Sequence, residues 1–299
     1  MPTVRLTTRL ALPLRLLAPS VRTVPRPIRQ FFYRSPLLGS AIQRLLARST
    51  PERLAEVQVE SSILRGARLR LNLRTERGYW LGTYELQLMA ALAHSCRAGM
   101  VVYDLGANIG YTTLAFARAV GETGRVYAFE PLPDNTRRLA EHVALNGFQG
   151  TVRLVPCAVS DREGLVRFFV HYSHLQGRIA SPAEKTELGK QIDVPSLRLD
   201  DFVYRDGNSP PDVVKIDIEG GASKAIPGMA RILADKRPII FIEIHDDAEQ
   251  QITWDTLERS GYQLRRLQPG YPQPTGRDEL TEEWPYHLIA RPIDSGSTP

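Results

Sequence analysis

Val101-Val102-Tyr103-Asp104-Leu105-Gly106-Ala107-Asn108-Ile109-Gly110-Tyr111 decides the fold of this chain. An apolar run of strand type enters a glycine loop, and the loop opens a segment with helical periodicity. Twenty residues past Gly110 stands Glu130, at the end of a second apolar run, Arg125-Val126-Tyr127-Ala128-Phe129. Strand, glycine turn, helix, strand and terminal acid form the first half of a nucleotide-binding α/β unit. The acid is placed to accept hydrogen bonds from ribose hydroxyls.

The glycine spacing separates the possible ligands. A dinucleotide fingerprint needs a second glycine where its backbone meets a pyrophosphate. Asn108 stands there instead, and an acid, Asp104, ends the strand. No Lys or Arg lies between Val101 and Ala117, and the P-loop ending Gly-Lys-Ser/Thr is missing. A ligand with positive groups and no phosphate fits better, and S-adenosylmethionine has a sulfonium, an ammonium, a carboxylate and a ribose diol. On this reading Asp104 faces the cationic end, directly or through water. The helix start at Ile109 to Thr112 faces the carboxylate, and Glu130 accepts from the diol.

At 299 residues, the chain is long enough for one full α/β core with appendages. Two cysteines, Cys96 and Cys157, make neither a disulfide framework nor a metal cluster, which fits a reducing, cytoplasmic setting. The net charge of +5 is unevenly placed. Residues 1–51 hold nine arginines and no acid, and the remaining 29 basic residues are outnumbered by 33 acidic ones. The catalytic part therefore lacks the basic face of a nucleic-acid enzyme. The basic arm reads as a transit peptide, as a segment touching an anionic membrane surface, or as a poorly ordered leader, the last being the expectation. Pro13, Pro19, Pro25 and Pro27 break any long helix in it, and no apolar run approaches a membrane span.

The expected organisation is an arm at 1–51, a lead-in at 52–98, a catalytic domain at 99–292 and a tail at 293–299. The lead-in alternates like strands at Val57 to Glu60 and Arg68 to Leu73, followed by a helix at Leu86 to Ala93. Strands are expected at Val101 to Leu105, Arg125 to Glu130, Val152 to Val159, Asp212 to Ile218 and Pro238 to Ile244. Helices are expected from Tyr111 to Val120, from Pro133 to Gly147, and from Asp247 to Ser260. Tyr262 to Leu267 and Tyr286 to Ala290 read as a closing pair of strands. Strands alternating with helices predict a mostly parallel sheet with helices on both faces. Residues 160–211 are too many for one crossover. Leu165 to Val170 and Val194 to Tyr204 read as added strands, around a polar loop from His171 to Gln191 beside the active site.

A second constellation ends the strand Val213-Val214-Lys215-Ile216-Asp217-Ile218-Glu219-Gly220. Period-two alternation puts Lys215, Asp217 and Glu219 on one face, and strand ends collect ligands in an open α/β sheet. Ile242-Glu243-Ile244-His245 adds an acid and an imidazole at the same edge. Methyl transfer needs an aligned acceptor and a group to take its hydroxyl proton. His245 or Asp217 can serve as base, with Lys215 beside them, and the spacing does not choose. A Lys215 to carboxylate pair that only stabilises the sheet is the bland alternative. No ligand spacing is diagnostic of a metal, so none is assigned, a divalent ion between these acids being a minor variant.

These motifs together resemble the FkbM-type family of S-adenosylmethionine-dependent methyltransferases, over about Gly82 to His245. The resemblance rests on Gly82-Thr83-Tyr84-Glu85, the Asp104 to Gly110 loop, Phe129-Glu130-Pro131 and Ala158-Val159-Ser160-Asp161. It continues through Leu199-Asp200-Asp201, Lys215 to Gly220, and Phe241 to His245. It implies the seven-stranded class I methyltransferase (Rossmann-like) sheet with an antiparallel last strand, and oxygen methylation of sugars, macrolides and related compounds. It implies that Asp104, Gly106, Ala107, Asn108, Gly110, Glu130 and Asp217 hold the cofactor. Ala158 and Asp161 then meet the adenine, and Tyr84 and Glu85 lie against the pocket. One departure stands out: after Glu219-Gly220 the family places Ala-Glu, and this chain places Gly221-Ala222. The expected function is O-methylation of a small-molecule or glycan hydroxyl acceptor. The rivals are a Rossmann-type oxidoreductase and a cofactor-binding protein without turnover. The oligomeric state is not readable.

Overall fold

The protein is described by a computed structural model over residues 54–171, 177–179, 189–274, 276, 279 and 284–293. The basic arm, the tail beyond Ile293 and most of the 171–191 loop lie outside these residues.

Thirteen strands and eight α-helices are present among the described residues. The lead-in hairpin is β1 (Ala55–Gln58) and β2 (Arg68–Leu71), followed by helices α1 (Arg77–Leu81) and α2 (Leu86–Ser95). The central alternation is β3 (Val101–Leu105), α3 (Tyr111–Val120), β4 (Arg125–Phe129), α4 (Pro133–Leu145) and β5 (Val152–Val155). An inserted group follows, with β6 (Ala158–Val159), β7 (Gly164–His171), β8 (Gly177–Ile179), β9 (Gly189–Leu197) and α5 (Leu199–Tyr204). The second half has β10 (Val213–Ile216), α6 (Ala222–Ala225), a 3-10 turn at Pro227–Met229, and α7 (Ala230–Asp235). It closes with β11 (Ile239–Ile244), α8 (Asp247–Arg259), β12 (Tyr262–Arg266) and β13 (Tyr286–Pro292).

The main sheet has seven strands in the order β12-β13-β11-β10-β3-β4-β5. β11, β10, β3, β4 and β5 pair in parallel, and β13 inserts antiparallel between β11 and β12. This is the α/β topology that the resemblance implies. Alternate strand residues feed two cores. Val102, Val126, Val213 and Phe241 pack with the hairpin, α2, α3 and α4 on one face. Tyr103, Phe129, Val214 and Ile242 pack with α5, α6, α7 and α8 on the other.

The expected strand from Val152 to Val159 is two strands, because Pro156 has no N–H to donate to the ladder. β6 leaves the main sheet and joins a four-stranded sheet, β6-β9-β7-β8, so the insertion exceeds the expected strand pair. The expected strand from Val194 to Tyr204 stops at Leu197, and 199–204 is helical. Asp200 and Asp201 occupy the first turn, where acids favour a helix. Leu199, Phe202 and Val203 sit at helical spacing and are buried. Within the expected loop from His171 to Gln191, Gly177–Ile179 pairs with β7 as strand β8.

The lead-in is fastened to α4 by buried polar groups. His142 is fully buried; its Nδ1 lies 2.7 Å from the Ile109 carbonyl and its Nε2 accepts the Arg70 N–H at 2.9 Å. Burial lowers its pKa, so the neutral ring donates from Nδ1 to the glycine loop and accepts from the hairpin. Arg138 forks onto Glu76 at 2.7 and 2.8 Å and also donates to the Arg70 carbonyl at 2.9 Å.

Candidate functional site

The carboxyl ends of β3, β4, β10 and β11 open into a cavity of about 560 Å³. Its wall comes from three sources. The lead-in supplies Thr75, Glu76, Gly78, Tyr79 and Tyr84. The strand ends supply Gly106, Asn108, Glu130, Asp217, Glu219, Glu243 and His245. Leu132, Asn135, Ala158 and Phe168 line the same space. Tyr79, Tyr84 and Tyr111 form one aromatic cluster, with centroids 4.5 to 5.7 Å apart, that joins the lead-in to α3.

The glycine loop is shaped by contacts a side chain would destroy. Gly106 has φ +77°, and a Cβ there would lie 1.8 Å from the Asp217 carbonyl. Asn108 follows with φ +50°, a conformation asparagine tolerates better than most residues. Glu130 pins the loop from below. Its Oε2 accepts the Asn108 N–H at 2.8 Å, and its Oε1 accepts the Leu132 N–H at 2.9 Å and the Asn135 amide at 3.4 Å. Burial pushes the Glu130 carboxyl up to about 7, against the pull of those donors.

Asp104 does not reach the cavity wall. It is wholly buried beneath the loop, where Oδ2 accepts from Thr112 and Thr113 at 3.0 and 2.6 Å, and Oδ1 pairs with Lys215 at 3.6 Å. Lys215 is likewise buried behind the wall. Its Nζ reaches Asp217 at 2.9 Å and the Gly106 carbonyl at 3.3 Å. Burial opposes its charge, but Asp217, Asp104 and Glu85 outweigh that and raise its pKa. The ammonium thus ties the ends of β3 and β10 together. Ala107, Gly110, Glu85 and Asp161 also lie off the wall, whereas Tyr84, Gly106, Asn108, Glu130, Ala158, Asp217 and His245 are on it.

At the other end of the cavity, burial and the Asp217 charge push Glu243 up to about 10. Burial also opposes the Asp217 charge, but Lys215 and the Glu243 hydrogen bond hold its carboxyl low. The pair therefore carries one proton, donated by Glu243 to an ionised Asp217. His245 sits at the turn from β11 into α8. Glu249, 2 % exposed, accepts the His245 backbone N–H at 2.8 Å and lies 3.3 Å from its Nδ1. The imidazole is thereby turned so that Nε2 faces Glu219 at 3.5 Å and Glu243 at 3.6 Å. Burial would lower His245, but the Glu249 hydrogen bond and the charges of Glu219, Glu249 and Asp217 outweigh it and raise its pKa.

Glu249 escaped the sequence reading, and it bears on the departure at Ala222. Its Oε1 accepts the Ala222 N–H at 2.7 Å, so a buried carboxylate lies against the position where the family's acid is replaced. Glu76, Tyr79 and Asn135 were also missed. The closing of the lead-in over the sheet edge makes Glu76 and Tyr79 wall residues, Asn135 joins them from the first turn of α4, and no local motif marks any of the three. His287 was missed for a related reason: it reaches this end only through the β11–β13 register, opposite Glu243. Burial lowers its pKa to about 4, so the ring is neutral.

The sequence profile described as "Methyltransferase FkbM domain" matches residues 104–264. The 31-O-demethyl-FK506 methyltransferase FkbM of Streptomyces tacrolimicus is 27% identical over 177 residues, which are 50% of this chain and 67% of that protein. The hexuronic acid methyltransferase AglP of Haloferax volcanii is 27% identical over 161 residues, 54% of this chain and 62% of that protein. The matches thus span about two thirds or less of these relatives' own lengths. The crystal structure of a methyltransferase FkbM from Methylobacillus flagellatus aligns with a TM-score of 0.43 at 16% identity, covering 95% of this chain and 72% of that one.

Proposed function

The chain belongs to the family of methyltransferase FkbM domains, and on that premise we propose that it is an S-adenosylmethionine-dependent O-methyltransferase acting on a hydroxyl of a small acceptor such as a sugar, glycan or secondary metabolite. The observation that carries this reading is the buried Glu130 carboxylate on the cavity wall, fixed by two backbone N–H donors with lone pairs to spare. That donor and acceptor set suits a ribose diol, and it would repel a diphosphate. Phe129, Leu132, Ala158 and Phe168 offer an apolar slot for a purine, and a volume of about 560 Å³ is ample for a nucleoside of this size. When bound, the cofactor supplies a methyl group already activated by its sulfonium.

The remaining chemistry belongs to the chain. His245, oriented by Glu249, presents Nε2 at the cavity and is placed to take the acceptor's hydroxyl proton. Ionised Asp217 and Glu219 stabilise the imidazolium that results. Lys215 and Asp104 position Asp217 and the glycine loop and do not touch the acceptor. The name of one relative, which methylates the 31-oxygen of a demethyl precursor, supports an oxygen acceptor, and that of the other, a hexuronic acid methyltransferase, supports a sugar acid as the kind of acceptor.

Titration calorimetry with S-adenosylmethionine tests the first half of the reading, and release of S-adenosylhomocysteine with panels of uronic acids and polyols tests the second. Micromolar binding that is lost in Glu130→Ala is expected, because a buried charged hydrogen-bond partner contributes about 1.5–3 kcal/mol. A folded chain that ignores the cofactor at millimolar concentration, or that binds a reduced nicotinamide cofactor instead, overturns it.

A further inference from the structure

Three side chains from three elements converge near the carboxyl end of β11. They are Glu85 at the N-terminal cap of α2, Glu243 on β11 and His287 on β13. One ligand-type atom of each lies within 4.8 Å of the other two. The β11–β13 register sets Glu243 opposite His287, with Nε2 and Oε1 4.0 Å apart.

Two observations separate this trio from an ordinary crowd of acids. Oε2 of Glu85 and Nε2 of His287 are both buried, and neither has a hydrogen-bond partner among the described residues. A buried polar atom without a hydrogen-bond partner is costly, and here two of them share one space. Glu85 is held there by a left-handed backbone, φ +44°, a further cost for a residue with a Cβ. The nearby Lys215 ammonium attracts Glu85 through space, but its hydrogen bonds go to Asp217 and the Gly106 carbonyl and its ion pair to Asp104.

We propose that Glu85, Glu243 and His287 form a binding site for one divalent transition-metal cation of the manganese or zinc type. Once the ion displaces to solvent the proton that Glu243 shares with Asp217, two carboxylates and one imidazole match the preferences of these ions, whereas calcium takes six to eight oxygens. Metal–ligand bonds of about 2.0–2.2 Å bring donor atoms within roughly 3–4.4 Å of each other, close to the spacing already present. Three protein ligands leave positions open for an oxygen ligand. Glu243 lines the main cavity, and His287 lines a second space of about 590 Å³ with Gln87, Arg266 and Tyr286. Pro285 borders both. The site is independent of the proposed methyl transfer, since the metal alone reads it out.

Mn²⁺ and Zn²⁺ are titrated separately by calorimetry into the full chain after chelator treatment, and the Mn²⁺ form is studied by pulsed electron paramagnetic resonance. One ion per chain is expected, with coupling to one histidine nitrogen. Glu85→Gln and His287→Gln, each first checked for native circular dichroism, should weaken binding about tenfold or more. His245→Gln should leave it unchanged. The wild-type nitrogen coupling decides the matter if a variant fails to fold, because its absence overturns the site. No binding at millimolar metal overturns it too, as does wild-type affinity in both folded Gln variants. Loss in His245→Gln with retention in His287→Gln would move the ion to Asp217, Glu243 and His245. Competitive loss of Mn²⁺ on adding S-adenosylmethionine would assign the trio to the cofactor's ammonium.

Discussion

Glu130 carries two tasks that pull its proton in opposite directions. It pins the glycine loop through the Asn108 N–H, and on the proposed reading it accepts from a ribose diol. Burial holds its pKa at about 7, above the ordinary 4.5. Between those two values the folded chain keeps a proton that the unfolded chain has released. The contribution of this group to stability is therefore present below pH 4.5 and is lost as pH rises through 7, at about 1.4 kcal/mol per unit. Cofactor binding runs the other way, because only the ionised carboxylate offers both oxygens as acceptors. The dissociation constant for S-adenosylmethionine should rise about tenfold for each pH unit below 7. Calorimetry across pH 5.5 to 8.5 reads this out as about that slope in the wild type and a flat line in Glu130→Gln. A flat wild-type profile would show that the carboxylate does not meet the ligand in its charged form.

At the scale of elements, the turn from β11 into α8 does most to organise the proposed base. Asp246 caps α8 by accepting the Glu249 N–H at 2.8 Å, which fixes the first turn. Glu249, three residues in, then reaches back to His245 and across to the Ala222 N–H at the start of α6. One buried carboxylate thereby joins two strand-to-helix junctions. Glu249→Gln keeps the size and at least one acceptor but removes the charge facing Nδ1. The kcat is expected to fall about tenfold to a hundredfold with KM for the cofactor unchanged, and the acidic limb of the pH–rate profile should move down. A loss confined to stability, with an unmoved pH profile, would reduce Glu249 to a structural brace. The strands and helices around this turn were legible because their apolar periods are regular. Residues 199–204 were not, because Leu-Asp-Asp-Phe-Val-Tyr offers aromatic and β-branched residues that suit a strand, while its acids suit a helix start. Pro156 was a readable break that the expected long strand passed over.

Over the whole molecule, the sheet and its edge acids follow from the sequence, and the other wall of the cavity does not. Asp104, Glu130, Asp217 and Glu243 are strand-end residues, so the order of strands carries them to one edge. Their division of labour depended on depth: Asp104 and Lys215 turned out to lie behind the wall, which period-two alternation cannot reveal. The lead-in wall is a tertiary fact, fixed by polar contacts between segments some sixty residues apart. Chief among them is the buried Glu76–Arg138 pair, with Glu76 3 % exposed and also accepting the Asn72 N–H at 2.7 Å. Replacing a buried pair by apolar groups is often tolerated, but removing one partner strands a charge, at a cost of about 3–5 kcal/mol. Glu76→Ala should therefore lower the unfolding midpoint and loosen the wall that Thr75, Gly78 and Tyr79 provide, weakening cofactor binding although the edge acids are untouched. Arg138→Ala alone should do the same by stranding Glu76. The double variant should recover part of both losses, because neither charge is then left unpaired. Urea unfolding and cofactor titration on all four proteins measure the coupling. Strict additivity in both readouts would mean that the pair does not hold the lead-in onto the sheet edge, and that the wall stands on the Tyr79–Tyr84–Tyr111 cluster and the His142 bridge instead.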